Sequence, residues 1–166
     1  MADVQGHNAN KSGKWLEKEV EKTLNDYGFQ SVDHKTIGPK FGNKISNQDV
    51  PGFLIKNSYY TDMFGKRARG EFVLQVSNKG PIRIECRRQT VRGSVDDKVT
   101  TLMGNAVSCE ERNVILVIDG GGMAEEKRRY VVDSARAIKH KSIKVFNLKQ
   151  FKSWAKRAFS DTGRDA

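Results

Sequence analysis

The feature that most constrains the fold is the stretch at residues 70–89, which reads GEFVLQVSNKGPIRIECRRQ. It contains two runs in which apolar and polar side chains largely alternate, and the segment SNKGP at 77–81 separates them. Alternation is typical of β-strands, because successive side chains point to opposite faces, and Ser, Asn, Gly and Pro favour turns. The stretch therefore predicts a β-hairpin with strands at 71–76 and 82–87.

The predicted hairpin has one apolar face and one charged face. The apolar face carries Phe72, Leu74, Val76, Ile82, Ile84 and Cys86. The other face carries Glu71, Val73 and Gln75 from the first strand and Arg83, Glu85 and Arg87 from the second. Carboxylates gathered in this way could hold a divalent metal ion, which prefers oxygen ligands. The alternative interpretation is a surface ladder of ion pairs among the same acids and arginines.

Charge and composition narrow the class of protein. The chain has 30 Lys and Arg against 20 Asp and Glu, a formal net charge of +10, which favours a polyanionic partner such as nucleic acid. No run of about 18 apolar residues is present, so we expect no membrane span. The two cysteines, Cys86 and Cys109, form no CxxC pattern, and this argues against a disulfide framework or a cysteine zinc site. The N-terminus lacks a signal-peptide pattern, so the cytoplasm, or a host-cell cytoplasm for a phage protein, is expected.

Periodicity predicts the remaining elements. A first helix is expected at 13–26, with Ser12 as its cap, and a second from a capping box at Ser94 and Asp97 to about residue 111. A third helix is expected at 125–139, and a last helix follows a cap at Asn147. Strands are expected at 29–37, 113–119 and 142–146. The segment 38–70 is expected to hold a short strand or helix, with the rest contacting a ligand. Residues 1–11 are expected to be a disordered tail, 12–159 a single domain and 160–166 a frayed C-terminus.

Strands that alternate with helices late in the chain indicate an α/β fold around a mixed sheet. This order, together with Ile84-Glu-Cys-Arg87, resembles the PD-(D/E)XK nuclease superfamily, which includes restriction endonucleases and Holliday junction resolvases. The resemblance spans roughly residues 13–159. It implies a restriction-endonuclease-like αβββαβ core, with a mixed central sheet flanked by helices.

The resemblance also implies a set of site residues. Glu85 takes the place of the second metal-binding acid, and the backbone carbonyl of Cys86 completes the metal shell. Glu71 takes the place of the first acid, although it is Glu rather than Asp, and Asp62 is the alternative. Glu17 matches a helical glutamate of many members, and Gln89 a glutamine that some branches carry. The implied cofactor is Mg²⁺ or Mn²⁺.

Arg87 is the main departure from the family pattern, which usually has lysine there. Arginine stays protonated and cannot act as a general base, but it can position a phosphate through forked hydrogen bonds. Arg87 therefore either replaces the lysine by electrostatics or marks a weakened or inactive nuclease.

The resulting functional hypothesis is a metal-dependent DNA endonuclease that hydrolyses phosphodiester bonds. The alternative is a catalytically weak or inactive nuclease-fold protein that binds nucleic acid. Candidate nucleic-acid contacts are Tyr59, Tyr60, Lys66, Arg67, Arg69, Arg88 and Arg92; for the tyrosines and the basic run at 66–69, a solvated loop is the alternative. By resemblance we also expect a homodimer, because many relatives dimerise to cut both strands.

Overall fold

The computed structural model describes residues 4–37, 51–77, 79–89 and 96–160, with backbone alone at 4–12 and 96–98. Its helices are α1 (Val4–Asn25), α2 (Asp96–Ser108), α3 (Glu125–Ala137) and α4 (Leu148–Phe159). Its strands are β1 (Gln30–Asp33), β2 (Gly52–Lys56), β3 (Tyr59–Thr61), β4 (Arg67–Arg69), β5 (Phe72–Val76), β6 (Ile82–Arg88), β7 (Asn113–Asp119) and β8 (Ser142–Phe146).

Six strands form one sheet in the order β1-β2-β5-β6-β7-β8. Strand β5 is antiparallel to both of its neighbours, β2 and β6, whereas β1 is parallel to β2, and β6, β7 and β8 are parallel to one another. The parallel strands β6, β7 and β8 need crossover connections, which α2 and α3 provide. The predicted mixed sheet flanked by helices is therefore confirmed.

Two hydrophobic cores lie on the two faces of the sheet. On one face, α1 contributes Leu16, Val20 and Leu24, and α4 contributes Phe151 and Ala155. On the other face, α2 and α3 pack against apolar side chains of β7. Because β7 supplies buried side chains to both cores, its sequence is a continuous apolar run rather than an alternating one.

The central hairpin has the predicted form. Phe72 of β5 pairs with Ile84 of β6, and both side chains are buried in the first core with Leu74, Val76 and Cys86. The apolar face of the hairpin therefore packs against α1. The opposite face is left for the charged side chains.

Several predicted boundaries are wrong. Helix α1 begins at Val4, within the segment 1–11 and before the expected cap at Ser12. A helix that is anchored by packing can extend at low cost, because each further residue adds one hydrogen bond. The strand expected at 29–37 ends at Asp33, because the Asp33 side chain accepts a hydrogen bond from the Lys35 amide and caps a 3₁₀ turn.

Other boundaries shift at helix ends. Helix α2 spans Asp96–Ser108, and the expected cap Ser94 lies outside the described residues. Helix α3 ends at Ala137 because Ile138 adopts an extended conformation. The expected cap of α4 is confirmed, since Asn147 and Gln150 form a reciprocal capping box.

The segment 38–70 is richer in strands than predicted. It contributes β2, which lies between β1 and β5, so that β2 rather than β1 is the first strand of the antiparallel core. Strand β2 begins at Gly52, where φ is 150° and a side chain would collide with the carbonyl of Gln75. It also contributes β3 and β4, a separate antiparallel pair. Residues 38–50 lie outside the described residues.

Candidate metal centre

Two carboxylates meet where β5 and β6 begin to separate. The register that pairs Phe72 with Ile84 brings the next position outward, Glu71, opposite Glu85. The backbone fixes Glu71 on both sides, because its carbonyl accepts from the Asn57 amide at 3.0 Å and its Oε2 accepts from the Cys86 amide at 3.2 Å. The two acids named by the sequence are thus neighbours in space.

The environment of Glu85 disfavours a second negative charge. Burial, a hydrogen bond with Glu71 and the charge of Glu71 raise the pKa of Glu85 to about 9, and Arg83 only partly opposes them. Without a cation, Glu85 therefore keeps its proton at neutral pH. A divalent cation between the two carboxyl groups would favour release of that proton, because metal ligands must be deprotonated.

Glu17 of α1 belongs to the same group of charges. Burial raises the pKa of its carboxyl, and Glu71 raises it further, while the positive charges of Lys14, Arg69 and Arg87 act in the opposite direction. Glu17 therefore lies within electrostatic reach of Glu71, and its part in the site stays a prediction.

Arg83 is the buried counter-charge of Glu85. Only 1% of Arg83 is exposed, and its Nη1 lies 3.2 Å from Glu85 Oε1. Its Nε and Nη2 donate to both oxygens of Glu111 at 2.8 and 2.9 Å, a forked ion pair. Nη2 also donates to Ser58 Oγ at 3.2 Å. This network holds one oxygen of Glu85 in a fixed direction.

Gly70 makes the close packing of this network possible. A methyl group at this position would overlap both the Glu85 carboxylate and the Arg83 guanidinium. The Gly70 amide donates to the Ser58 carbonyl at 2.8 Å, which ties the chain leading into Glu71 to the segment that follows β2. The residue before Glu71 is thus glycine for steric reasons.

The remaining motif residues lie around the carboxylates. The Cys86 thiol is buried in the first core, and burial followed by the charge of Glu71 raises its pKa well above the ordinary value. Arg87 is exposed, and its charge acts on both Glu17 and Cys86. Gln89 follows the end of β6, where its amide donates to the Asp119 carbonyl and its carbonyl accepts from the Gly122 amide.

The donor set fits a hard cation bound by few protein ligands. Among the residues that the structure describes, no three His, Cys, Asp or Glu side chains are grouped as a metal site. Mg²⁺ requires only one or two carboxylates, with water and substrate phosphate completing its shell. Glu71 and Glu85 supply two carboxylates, and the Cys86 carbonyl lies between Glu85 and Arg87 in the same strand. A zinc site, which needs three or four protein ligands, does not fit.

Asp62, the alternative first acid, has a different role. It lies in the β3–β4 turn, where its Oδ1 accepts from the amides of Phe64 and Lys66 at 2.9 and 2.8 Å. Its carboxylate closes the turn, so the hydrogen bonds of the hairpin favour Glu71 as the first acid.

The structure places the predicted nucleic-acid contacts in different surroundings. Tyr59, Lys66, Arg67 and Arg69 are exposed on β3, β4 and their turn. Tyr60 is instead buried, because its ring lies 4.6 Å from the Arg83 guanidinium carbon and its hydroxyl accepts from Asn105 at 2.9 Å. Arg88 stacks on the Trp15 ring at 4.3 Å, and Arg92 lies outside the described residues.

Sequence reasoning missed the residues that hold the carboxylates in place. Asn57 adopts a φ of 56° where β2 ends, and Asn is among the few residues that tolerate this region. The asparagine at position 57 was therefore a usable signal for a turn at the end of β2. Glu111 pairs with Arg83, which is 28 positions away in sequence, and no local sequence pattern predicts such a contact.

A basic groove lies beside the end of β7. It has a volume of about 590 Å³, and its lining includes Asp119, Lys149, Lys152 and Lys156. Asp119 pairs in register with Arg88 of β6, so the groove begins at the end of β6, three residues beyond Glu85. Its lysines suit a polyanion.

Comparisons with known proteins bear on the family and the fold. The family model of the PD-(D/E)XK nuclease superfamily domain matches residues 8–159. The crystal structure of protein VC1899 from Vibrio cholerae matches with a TM-score of 0.50 and 17% identity, over 92% of this chain and 35% of that chain. The chain thus spans about a third of that protein, and the likeness concerns the fold alone. No match was found among curated proteins. None of the helices in the described residues is long and apolar enough to cross a membrane.

Proposed function

The chain belongs to the PD-(D/E)XK nuclease superfamily, and from this premise we propose that it is a DNA endonuclease dependent on Mg²⁺ or Mn²⁺. The observation that supports the proposal most is the position of Glu71 opposite Glu85 across the β5–β6 pair, where two carboxylates could bind one cation. The net charge of +10 and the basic groove favour a nucleic-acid substrate.

Each residue has a proposed task. Glu71, Glu85 and the Cys86 carbonyl would hold the ion, with Glu17 acting directly or through water. A bound divalent ion would neutralise the scissile phosphate and lower the pKa of an attacking water. Arg87 is exposed, so it can bind the phosphate and stabilise its developing charge. Gln89 would orient the phosphate or the water.

Cleavage of a labelled DNA by Glu85→Gln tests this proposal, with Asp133→Asn on the exposed side of α3 as the matched control. We expect the first variant to lose divalent-metal-dependent cleavage and to retain DNA binding, and the control to keep both. Unchanged cleavage by Glu85→Gln would remove the assignment of the site.

A second function is favoured by one specific observation. Arg83 already pairs with Glu85 at 3.2 Å, and arginine occupies the position of the family lysine at Arg87. A nuclease fold with its acid neutralised in this way would bind nucleic acid without cutting it. If no DNA is cut in Mg²⁺ or Mn²⁺ and Arg87→Lys restores cleavage, this second function holds. We further propose a homodimer, by family resemblance, and a location in the cytoplasm, or in a host-cell cytoplasm for a phage protein, from the absence of a signal-peptide pattern.

A further inference from the structure

A short β-hairpin projects next to the carboxylates. We call it the arm: β3, β4 and the turn between them, residues 59–69. Asp62 closes its turn through two side-chain hydrogen bonds, and its backbone amide donates to the Lys66 carbonyl at 2.8 Å. Gly65 has a φ of 74°, which the turn requires. The tip is therefore held in one conformation rather than left as a loose loop.

The turn end of the arm is fixed against α2 and the segment that follows it. Thr61 donates to Glu110 through its amide at 3.2 Å and its hydroxyl at 2.8 Å. The Met63 amide donates to Asn105 at 3.1 Å. With Tyr60 buried as described, these contacts fix the arm against α2 and leave its outer side open to a partner.

The outer side of the arm combines exposed aromatic rings with cations. Phe64 at the tip is 70% exposed, the largest exposed fraction among the large apolar side chains described. The Arg67 guanidinium carbon lies 3.8 Å from the centre of the exposed Tyr59 ring. Lys66 is also exposed beside Phe64. Packing within the fold does not explain why this turn exposes the Phe64 ring to water.

A second exposed ring lies on α1, which packs in the first core, whereas Tyr60 of the arm belongs to the second core on the opposite face of the sheet. Trp15 is 42% exposed and carries Arg88 on its face, whereas Trp154 packs against Phe146 and Phe151. On the arm side, Arg69 lies within electrostatic reach of Glu17. The two exposed rings therefore lie on elements that adjoin the carboxylates, Phe64 on the arm that leads into Glu71 and Trp15 on the helix that carries Glu17.

Aromatic rings interleaved with cations are the means by which proteins bind unpaired nucleic-acid strands, because bases stack on the rings while cations contact phosphates. Paired bases are already stacked on their neighbours and would have to be opened first.

We propose that Phe64 and Trp15 are stacking platforms for unpaired bases on either side of the scissile phosphate, so that the substrate is DNA with a single-stranded segment. This inference rests on the proposed function, and it names the substrate class of the same site.

Binding in metal-free buffer tests the inference independently of cleavage. A short oligothymidylate and a duplex of equal length would be titrated against wild type, Phe64→Ala, Trp15→Ala and Tyr130→Ala, with fluorescence anisotropy as the readout. Tyr130 is a matched control, because it is 62% exposed on α3. Each platform variant is expected to weaken single-strand binding about fivefold to a hundredfold. Duplex binding and the control should change little.

A fluorescence measurement identifies the stacked ring. The chain has two tryptophans, so Trp154→Phe leaves Trp15 as the sole tryptophan emitter. Oligothymidylate should quench its fluorescence, and the duplex should not. The inference is overturned if the platform variants bind the single strand as wild type does, if they weaken both forms equally, or if the sole tryptophan is not quenched. Because no metal is present, absent cleavage would affect the proposed function alone.

Discussion

Replacing Glu85 by glutamine should stabilise the metal-free protein at neutral pH, although Glu85 is a proposed metal ligand. The pKa of Glu85 rises from an ordinary 4.5 to about 9 in the folded protein. The folded state therefore binds a proton that the unfolded state releases, and stability falls as pH rises from 4.5 towards 9. Glutamine has no titrating group. The folded variant therefore keeps the contacts of a neutral side chain, and its stability does not fall with pH through this position.

The size of the effect follows from the shift. One pKa unit corresponds to about 1.4 kcal/mol, so wild type should lose about 3 kcal/mol relative to Glu85→Gln between pH 5 and pH 7. Urea unfolding followed by tryptophan fluorescence in EDTA measures both proteins. Asp133→Asn removes an exposed ion pair with Arg136 that contributes little to stability, so its free energy of unfolding should equal that of wild type at each pH.

Parallel pH profiles for wild type and Glu85→Gln would refute the reasoning, because they would mean that Glu85 is ionised in the folded protein. Added Mg²⁺ supplies a second comparison. It should stabilise wild type by mass action and leave Glu85→Gln unchanged.

Three further substitutions probe the surroundings of the pair. Arg83→Met leaves the largely buried Glu111 carboxylate without its forked counter-charge and should destabilise the protein by about 3–5 kcal/mol in urea unfolding at pH 8, where a loss below about 1 kcal/mol would be inconsistent with a buried pair. Gly70→Ala should displace Glu85 and weaken Mn²⁺ binding in calorimetry, whereas Gly121→Ala, which points into open space, should not. Arg87→Ala should lower the cleavage rate about a hundredfold or more with little change in stability. An unchanged rate would mean that Arg87 takes no part in the reaction.

The sequence was most informative where structure is local. Alternation in 70–89 predicted the hairpin and its two faces, because side-chain direction in a strand depends only on position. The continuous apolar run predicted β7 with its observed bounds, and Asn147 predicted the start of α4. The neighbourhood of Glu71 and Glu85 followed from the hairpin register.

It was least informative where contacts are distant in sequence. Strand β2 pairs parallel with β1 across residues that give no hairpin signal, so its place in the sheet was not readable. Tyr60 looked like a surface aromatic in a polar segment, yet Arg83 and Asn105 bury it. The Arg83–Glu111 pair joins β6 to the segment that follows α2, and only the folded chain brings the two residues together.

Calorimetric titration of Mn²⁺ into wild type, Glu71→Gln and Glu85→Gln tests the carboxylate pair most directly. If the pair is the metal centre, wild type binds Mn²⁺ saturably and releases a proton on binding, and both variants lose that binding while remaining folded. Equal Mn²⁺ affinity in wild type and Glu85→Gln would contradict the assignment of the metal centre to this pair.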